Sequence, residues 1–190
     1  MSAFGIVVEG PRDAAVYPVI IRRIRPDIER VVARPCGGIP ALPNKFVGWL
    51  KHFQYEHLID KALVIRDSDW KNPHVLEAEL SDRLRKSGFE PTFPVHFYAT
   101  RSMVETWLMA DEQAVSKVAL TRGRTRSIKP IGKPLEEFSD PKTLFRAMLS
   151  EASLPADDRV YKEIASAADL YRIAERCPRF AEFREHVHAC

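Results

Sequence analysis

Three carboxylates stand where strand-like sequence gives way to loop: Glu9 after the run FGIVV, and Asp67 and Asp69 after the run ALVI. Carboxylates held close together repel one another unless they share a proton or a cation. A hard, oxygen-preferring ion such as Mg²⁺ (or Mn²⁺) relieves that repulsion and keeps waters in its shell for substrate phosphates. The Asp-x-Asp spacing suits this chemistry, because in extended backbone residues two apart point the same way and both carboxylates can face one ion. Each acid alone has an ordinary explanation. Asp67-Ser68-Asp69 reads equally as a turn and capping segment, and Glu9 as a first-turn acid near a helix N-terminus. On separate strands of one sheet, Glu9, Asp67 and Asp69 together point to a metal site.

Cationic residues flank these acids. Arg66 and Arg101 sit at strand ends, where a guanidinium either orients a phosphate or pairs with the acids themselves. Lys71 either touches phosphate or is simply exposed. Downstream, LTRGRTRSIKPIGK (residues 120–133) carries Arg122, Arg124, Arg126, Lys129 and Lys133 with no acid among them. That stretch is either a solvated loop or a surface for nucleic-acid phosphates.

The elements that must position the acids follow from punctuation and periodicity. Pro11 suits the first position of a helix running to about Arg25, and Val31–Ala33 reads as a short second strand. Gly37-Gly38, with Pro40 and Pro43, marks a loop, after which Asn44 is placed to cap a helix to about Leu58. Ala62–Ile65 is apolar without alternation, as in a strand buried on both faces of a parallel sheet. Asn72-Pro73 forms an N-cap and N1 pair for a helix through about Lys86. Phe93–Tyr98 supplies a fourth strand, and a helix runs from Ser102 to about Asp111. Strands alternating with helices predict an α/β, Rossmann-like domain with an open, mainly parallel four-stranded sheet and helices on both faces. Such sheets bind ligands outside the C-terminal ends of their strands, where Glu9, Asp67 and Asp69 fall.

Beyond about Asp111 no strand is legible. Asp140-Pro141 starts one helix over Lys142–Glu151; others cover about Tyr161–Arg176 and Arg179–His188. The expected division is therefore a sheet domain over 1–110 and a C-terminal helical annex over 111–190 that includes the basic loop 120–133.

The chain of 190 residues is 45% hydrophobic and 29% charged, which excludes an intrinsically disordered protein. No apolar run approaches the roughly 20 residues of a membrane span. MSAFGIVVEG reads as a first strand rather than a signal peptide, so a cytoplasmic location is expected. Cys36, Cys177 and Cys190 are odd in number and far apart, which indicates neither a disulfide framework nor a zinc site. No glycine-rich phosphate loop ending in Lys-Ser/Thr is present, so nucleotide hydrolysis would need a partner protein.

The motifs resemble the TOPRIM family. Glu9-Gly10-Pro11-Arg12-Asp13-Ala14 after a strand looks like the TOPRIM opening motif, and Arg66-Asp67-Ser68-Asp69 looks like its Asp-x-Asp motif, with Gly37-Gly38 between them. The likeness extends to small TOPRIM-like proteins of unknown function related to the overcoming-lysogenization-defect (OLD) nucleases. It is carried there by Val104-Glu105-Thr106-Trp107-Leu108-Met109-Ala110-Asp111, by Tyr161-Lys162-Glu163 and by Cys177-Pro178-Arg179-Phe180, and so covers nearly the whole chain. The resemblance implies Mg²⁺-dependent phosphoryl chemistry on nucleic acid, in phage or mobile-element defence. Glu9 would be a metal ligand or general acid/base, Asp67 and Asp69 metal ligands, and Glu105 a further ligand. Glu105 has a competing role, since Ser102-x-x-Glu105 before an apolar run is a capping box. Asp111 reads more readily as a solvated helix-end residue than as a ligand.

Three functions compete. One is a metal-dependent nuclease; another is a non-catalytic TOPRIM-like module that binds nucleic acid or a separate ATPase subunit. The last is a receiver-like acidic pocket, which ranks lowest because Val8-Glu9-Gly10 offers one acid where such domains need a pair.

Overall fold

The computed structural model describes residues 3–69, 71–101, 103–124 and 128–189. The chain divides into two compact units, Met1–Arg101 with His186–Cys190, and Ser102–Glu185.

The first unit is built on four parallel strands: β1 (Ala3–Val8), β2 (Arg30–Pro35), β3 (Lys61–Asp67) and β4 (Val95–Thr100), in the order β2-β1-β3-β4. The expected α/β class and four-stranded parallel sheet are observed. β1 and β3 are central and read as unbroken apolar runs because both of their faces are covered. Helices α1 (Pro11–Ile24), α2 (Leu42–His52) and α3 (Pro73–Lys86) fill the crossovers.

Alternation along the strands sorts the core onto two faces. Ala3 and Val7 of β1 and Ala62 and Val64 of β3 join Leu42, Phe46, Leu50 and Phe53 of the α2 segment and Leu80 of α3. Phe4, Ile6, Leu63 and Ile65 point the other way, toward the side of α1, whose buried stripe is Val16, Tyr17, Ile20, Ile21 and Ile24. Gly5 lies where no side chain fits: a Cβ there would be 2.4 Å from Ile59 Cδ1 and 2.8 Å from the Phe53 ring. The final turn of the chain belongs to this unit, with Arg25 Nη1 donating to the carbonyls of Val187 and His188 at 3.3 Å each.

The start of α2 differs from expectation. α2 begins at Leu42 rather than after Asn44, because Pro43 already fixes helical φ in its first turn and Gly38 O accepts from Ala41 and Leu42. It passes at Phe53–His57 into a π-helical turn that ends at Leu58, in left-handed backbone.

The second unit is helical: α4 (Val104–Met109), α5 (Glu112–Thr121), α6 (Pro141–Glu151), α7 (Asp158–Ala167), α8 (Leu170–Arg176) and α9 (Pro178–Ala189), whose last turn is grouped with the sheet. The predicted helix over Tyr161–Arg176 is two helices, broken where Asp169 caps α8 by accepting from Tyr171 N at 2.9 Å. Asp111, expected to be solvated, is buried. Its carboxylate caps α5 through Gln113 N (3.2 Å) and accepts Asp169 N (2.7 Å), so one side chain ties together two helix starts. Among the described residues, no helix is long and apolar enough to cross a membrane.

Candidate functional site

The strand order β2-β1-β3-β4 puts a topological switch point between β1 and β3: the chain leaves β1 toward β2 on one side and returns as β3 on the other. A crevice opens outside the carboxyl ends of the strands at such a point. Glu9 follows the last residue of β1, and Asp67 is the last residue of β3.

The backbone around Glu9 is tied down on both sides. Gly37 N and Gly38 N donate to Glu9 O at 2.9 and 2.7 Å, and Cys36 N donates to Val8 O at 2.9 Å. Gly37 and Gly38 have φ of 93° and 109°, a region open to glycine and strained for other residues, which is why the loop needs both. On the helix side, Asp13 at N3 of α1 reaches back to accept Gly10 N at 2.9 Å.

The two strand ends meet directly. Asp67 N donates to Glu9 Oε1 at 3.1 Å, and Thr100 Oγ1, at the end of β4, donates to Asp67 Oδ1 at 3.0 Å. Ser68 continues the tie, with its N on Thr100 O (3.0 Å) and its Oγ on Arg101 O (2.7 Å). Glu9 is only 6% exposed, and burial pushes its carboxyl up to about 7. The Asp67 amide opposes that rise, Asp13 and Asp69 add to it as like charges, and the Arg66 guanidinium moderates it. Beneath lies Tyr17, fully buried, its phenol raised well above its ordinary range by burial and by Asp67, Asp13, Tyr98 and Glu9. Four carboxylates thus share one strand-end region, and one of them is held near neutrality by its surroundings.

The extended Asp-x-Asp geometry expected from sequence does not form. β3 stops at Asp67, and Asp69 is an exposed turn residue with φ of 45°. The turn, rather than a shared strand face, brings Asp69 within electrostatic reach of Glu9. Among the described residues, no group of three His, Cys, Asp or Glu side chains converges as a ready ligand set for a metal ion.

Arg66 lies partly buried, with Nη1 3.8 Å from Glu79 of α3 and a buried Nε that has no hydrogen-bond acceptor among the described residues. Lys71 and Arg101 are exposed. In the second unit, Glu105 is buried in the first turn of α4 and accepts from Tyr161 Oη at 3.4 Å. The N-cap of that helix is Met103, so Glu105 is one position short of the capping-box register; Ser102 lies outside the described residues. Arg122 gives both Nε and Nη2 to Glu163 Oε2 (3.0 and 2.9 Å). Arg124 is exposed at the end of α5, and Arg126 lies outside the described residues.

Sequence reading passed over Thr100 and Tyr17. Thr100 pairs with Asp67 in the β3–β4 register, and Tyr17 belongs to the apolar stripe of α1. Both become site neighbours only once the strand order is known.

No protein-family model and no curated protein matches the chain. Among solved structures, the chain is similar to the C-terminal region of the Xanthomonas campestris pv. campestris OLD protein. The identity is 15%, the TM-score is 0.47, and the match covers 100% of this chain and 99% of that one. It is also similar to the C-terminal region of the Burkholderia pseudomallei OLD protein, at 14% identity and a TM-score of 0.49, covering 100% of this chain and 98% of that one.

Proposed function

We propose that this protein is a Mg²⁺-dependent (or Mn²⁺-dependent) phosphodiesterase of the TOPRIM type that hydrolyses nucleic acid. The observation that carries the reading is the hydrogen bond from Asp67 N to Glu9 Oε1 across the switch point of the parallel sheet. It supports a single acidic centre made from two strand ends, with Asp13 and Asp69 close enough for their charges to act on Glu9.

The donor set fits the ion. It is made of oxygen ligands only, and Mg²⁺ is commonly held by one or two carboxylates while waters and substrate phosphates complete its shell. A preassembled three-residue cluster is therefore not required. When bound, the ion lowers the pKa of a water and offsets charge gathering on the phosphate. In this reading Asp67 and Asp69 hold it, and Thr100 orients Asp67. Glu9, with its carboxyl near 7, either joins as a ligand or holds and returns a proton at Oε2 while Oε1 accepts the Asp67 amide. Arg66, Lys71 and Arg101 are the cations assigned to the phosphate; Arg66 has a buried donor to offer. Glu105 enters as a ligand only through the motif resemblance. The same resemblance supports a role in phage or mobile-element defence and a separate ATPase subunit as partner.

A second reading is a non-catalytic module that binds nucleic acid or that ATPase. It is favoured by Glu9 Oε1 being already satisfied by a backbone amide and by the lack of a ready three-ligand group among the described residues. Cleavage of labelled single- and double-stranded oligonucleotides in Mg²⁺ and in Mn²⁺ separates the two. The nuclease reading expects cutting by the wild type and none by a folded Asp67→Ala variant. Equal products from both proteins, or no cutting in either metal, hands the assignment to the binding module.

A further inference from the structure

A second feature of the sheet unit lies on α2. Asn44, Lys45, Gly48, Trp49 and His52 recur at helical spacing on one face and line an open groove of about 520 Å³. That volume falls within the roughly 300–1,000 Å³ of small-ligand clefts. The lining contains no acid, and the side chains around it are cationic or aromatic. Arg34 of β2 lies over the Trp49 ring, 5.6 Å from its centroid, and donates through Nη2 to His57 Nε2 at 2.7 Å. The His52 ring meets Trp49 edge-on at 5.6 Å. Arg83 of α3 reaches Asn44 Oδ1 at 3.3 Å. The carboxylate nearby, Glu56, is engaged by His52 Nδ1 at 2.8 Å.

Gly48 gives the groove its meaning. A glycine inside a helix is destabilising relative to alanine, and such a residue calls for a local reason. Packing supplies none: a Cβ at Gly48 would meet no atom within 4 Å, and its φ lies outside the left-handed region. What the missing side chain leaves is room between Asn44, Lys45, Trp49 and His52.

The groove also adjoins the acidic centre through Lys45. Its Nζ donates to Cys36 O at 3.0 Å and lies 3.8 Å from where a Gly37 Cβ would stand, while Gly37 N is bonded to Glu9 O. We infer that this groove seats an unpaired nucleotide of a nucleic-acid strand, its base against Trp49 and its phosphate on Lys45 and Arg34. Stacking on an aromatic ring beside a cationic track is how single strands are held without sequence preference. The ligand class rests on the phosphodiesterase reading; the groove itself does not.

The test is fluorescence anisotropy of a short labelled oligo(dT) in EDTA, where no cutting confuses binding. The variants are Gly48→Leu, Trp49→Ala and Lys45→Gln. Gly48→Leu fills the groove with a better helix former, so its thermal midpoint holds or rises while affinity falls about tenfold or more. Trp49→Ala loses a similar amount, and Lys45→Gln flattens the salt dependence by about 0.7 in log–log slope, the share of one phosphate on a single strand. Wild-type affinity in both Gly48→Leu and Trp49→Ala overturns the assignment, as does a wild type that binds no oligonucleotide at low salt. Mn²⁺-dependent hydrolysis of bis(p-nitrophenyl) phosphate, too small to need the groove, keeps the two readings apart. Groove-dependent binding without that hydrolysis removes the phosphodiesterase and leaves the groove. Asp67-dependent hydrolysis with groove-independent binding does the reverse.

Discussion

The amide of Asp67 donates to Oε1 of Glu9 at 3.1 Å, joining two residues 58 apart in sequence at the ends of neighbouring parallel strands. The bond ties the buried Glu9 carboxylate to the neighbouring strand end. Burial raises the Glu9 carboxyl from 4.5 to about 7, against the pull of the Asp67 amide.

The pH dependence of stability follows with a definite sign. The unfolded chain releases the Glu9 proton near 4.5 and the folded chain keeps it to about 7, so the folded state binds more protons between those values. Metal-free protein should therefore lose stability as pH rises through that window, by an amount on the order of 3 kcal/mol from this group. Urea unfolding in EDTA at about pH 5 and about pH 8 reads the loss, and Glu9→Gln should abolish most of it. An unchanged slope in the variant would show that another group is responsible.

Gly5 is needed for space rather than for backbone freedom. Gly5→Ala drives a methyl group against the Phe53 ring and Ile59, and overpacking of that kind costs about 1–3 kcal/mol. The denaturant midpoint should fall accordingly. A neutral substitution would mean that Phe53 and Ile59 yield easily.

Arg122 and Arg124 should separate in the basic stretch. Arg122 is committed to Glu163, an ion pair about one-third exposed on each side, so Arg122→Ala should cost no more than about 1 kcal/mol and leave the salt dependence of nucleic-acid binding unchanged. Arg124 is exposed, and if the stretch meets phosphates, Arg124→Ala should flatten that dependence by about 0.7–0.9 for each phosphate the guanidinium neutralises. Equal slopes for the wild type and Arg124→Ala return the stretch to an ordinary loop.

Asp111→Ala should be more costly than its place at a helix end suggests. It removes acceptors from Gln113 N and Asp169 N together, for about 1–3 kcal/mol. Thermal unfolding should show a larger loss than for Asp140→Ala, an exposed cap that serves α6 alone through Thr143; an equal loss would mean that the bond to Asp169 adds nothing.

Much of this arrangement was legible in the residues. Unbroken apolar runs ending in Glu9 and Asp67 gave a parallel sheet with acids at its strand ends, and Asn72-Pro73 marked α3, where Asn72 Oδ1 accepts His74 N at 3.0 Å. The turn at Asp69 was not legible, because Asp-x-Asp reads alike in strand and turn and only the chain's exit from β3 decides. Asp111 read as a solvated helix-end residue and Asp169 fell inside one expected helix over Tyr161–Arg176, since nothing local says that a carboxylate will also reach an amide 58 residues away. The meeting of Trp49 with Arg34 is likewise tertiary, joining an edge strand to a helix. Glu105 was ambiguous for a different reason: its capping role depended on the exact helix start, and α4 begins at Val104.

The most direct test of the central claim is crystals of the protein soaked in Mn²⁺ and measured for anomalous scattering. A peak is expected at the Asp67 and Asp69 carboxylates beside Glu9, lost in crystals of Asp67→Ala. Mn²⁺ found elsewhere with the strand ends empty, or a peak that survives Asp67→Ala, would contradict it.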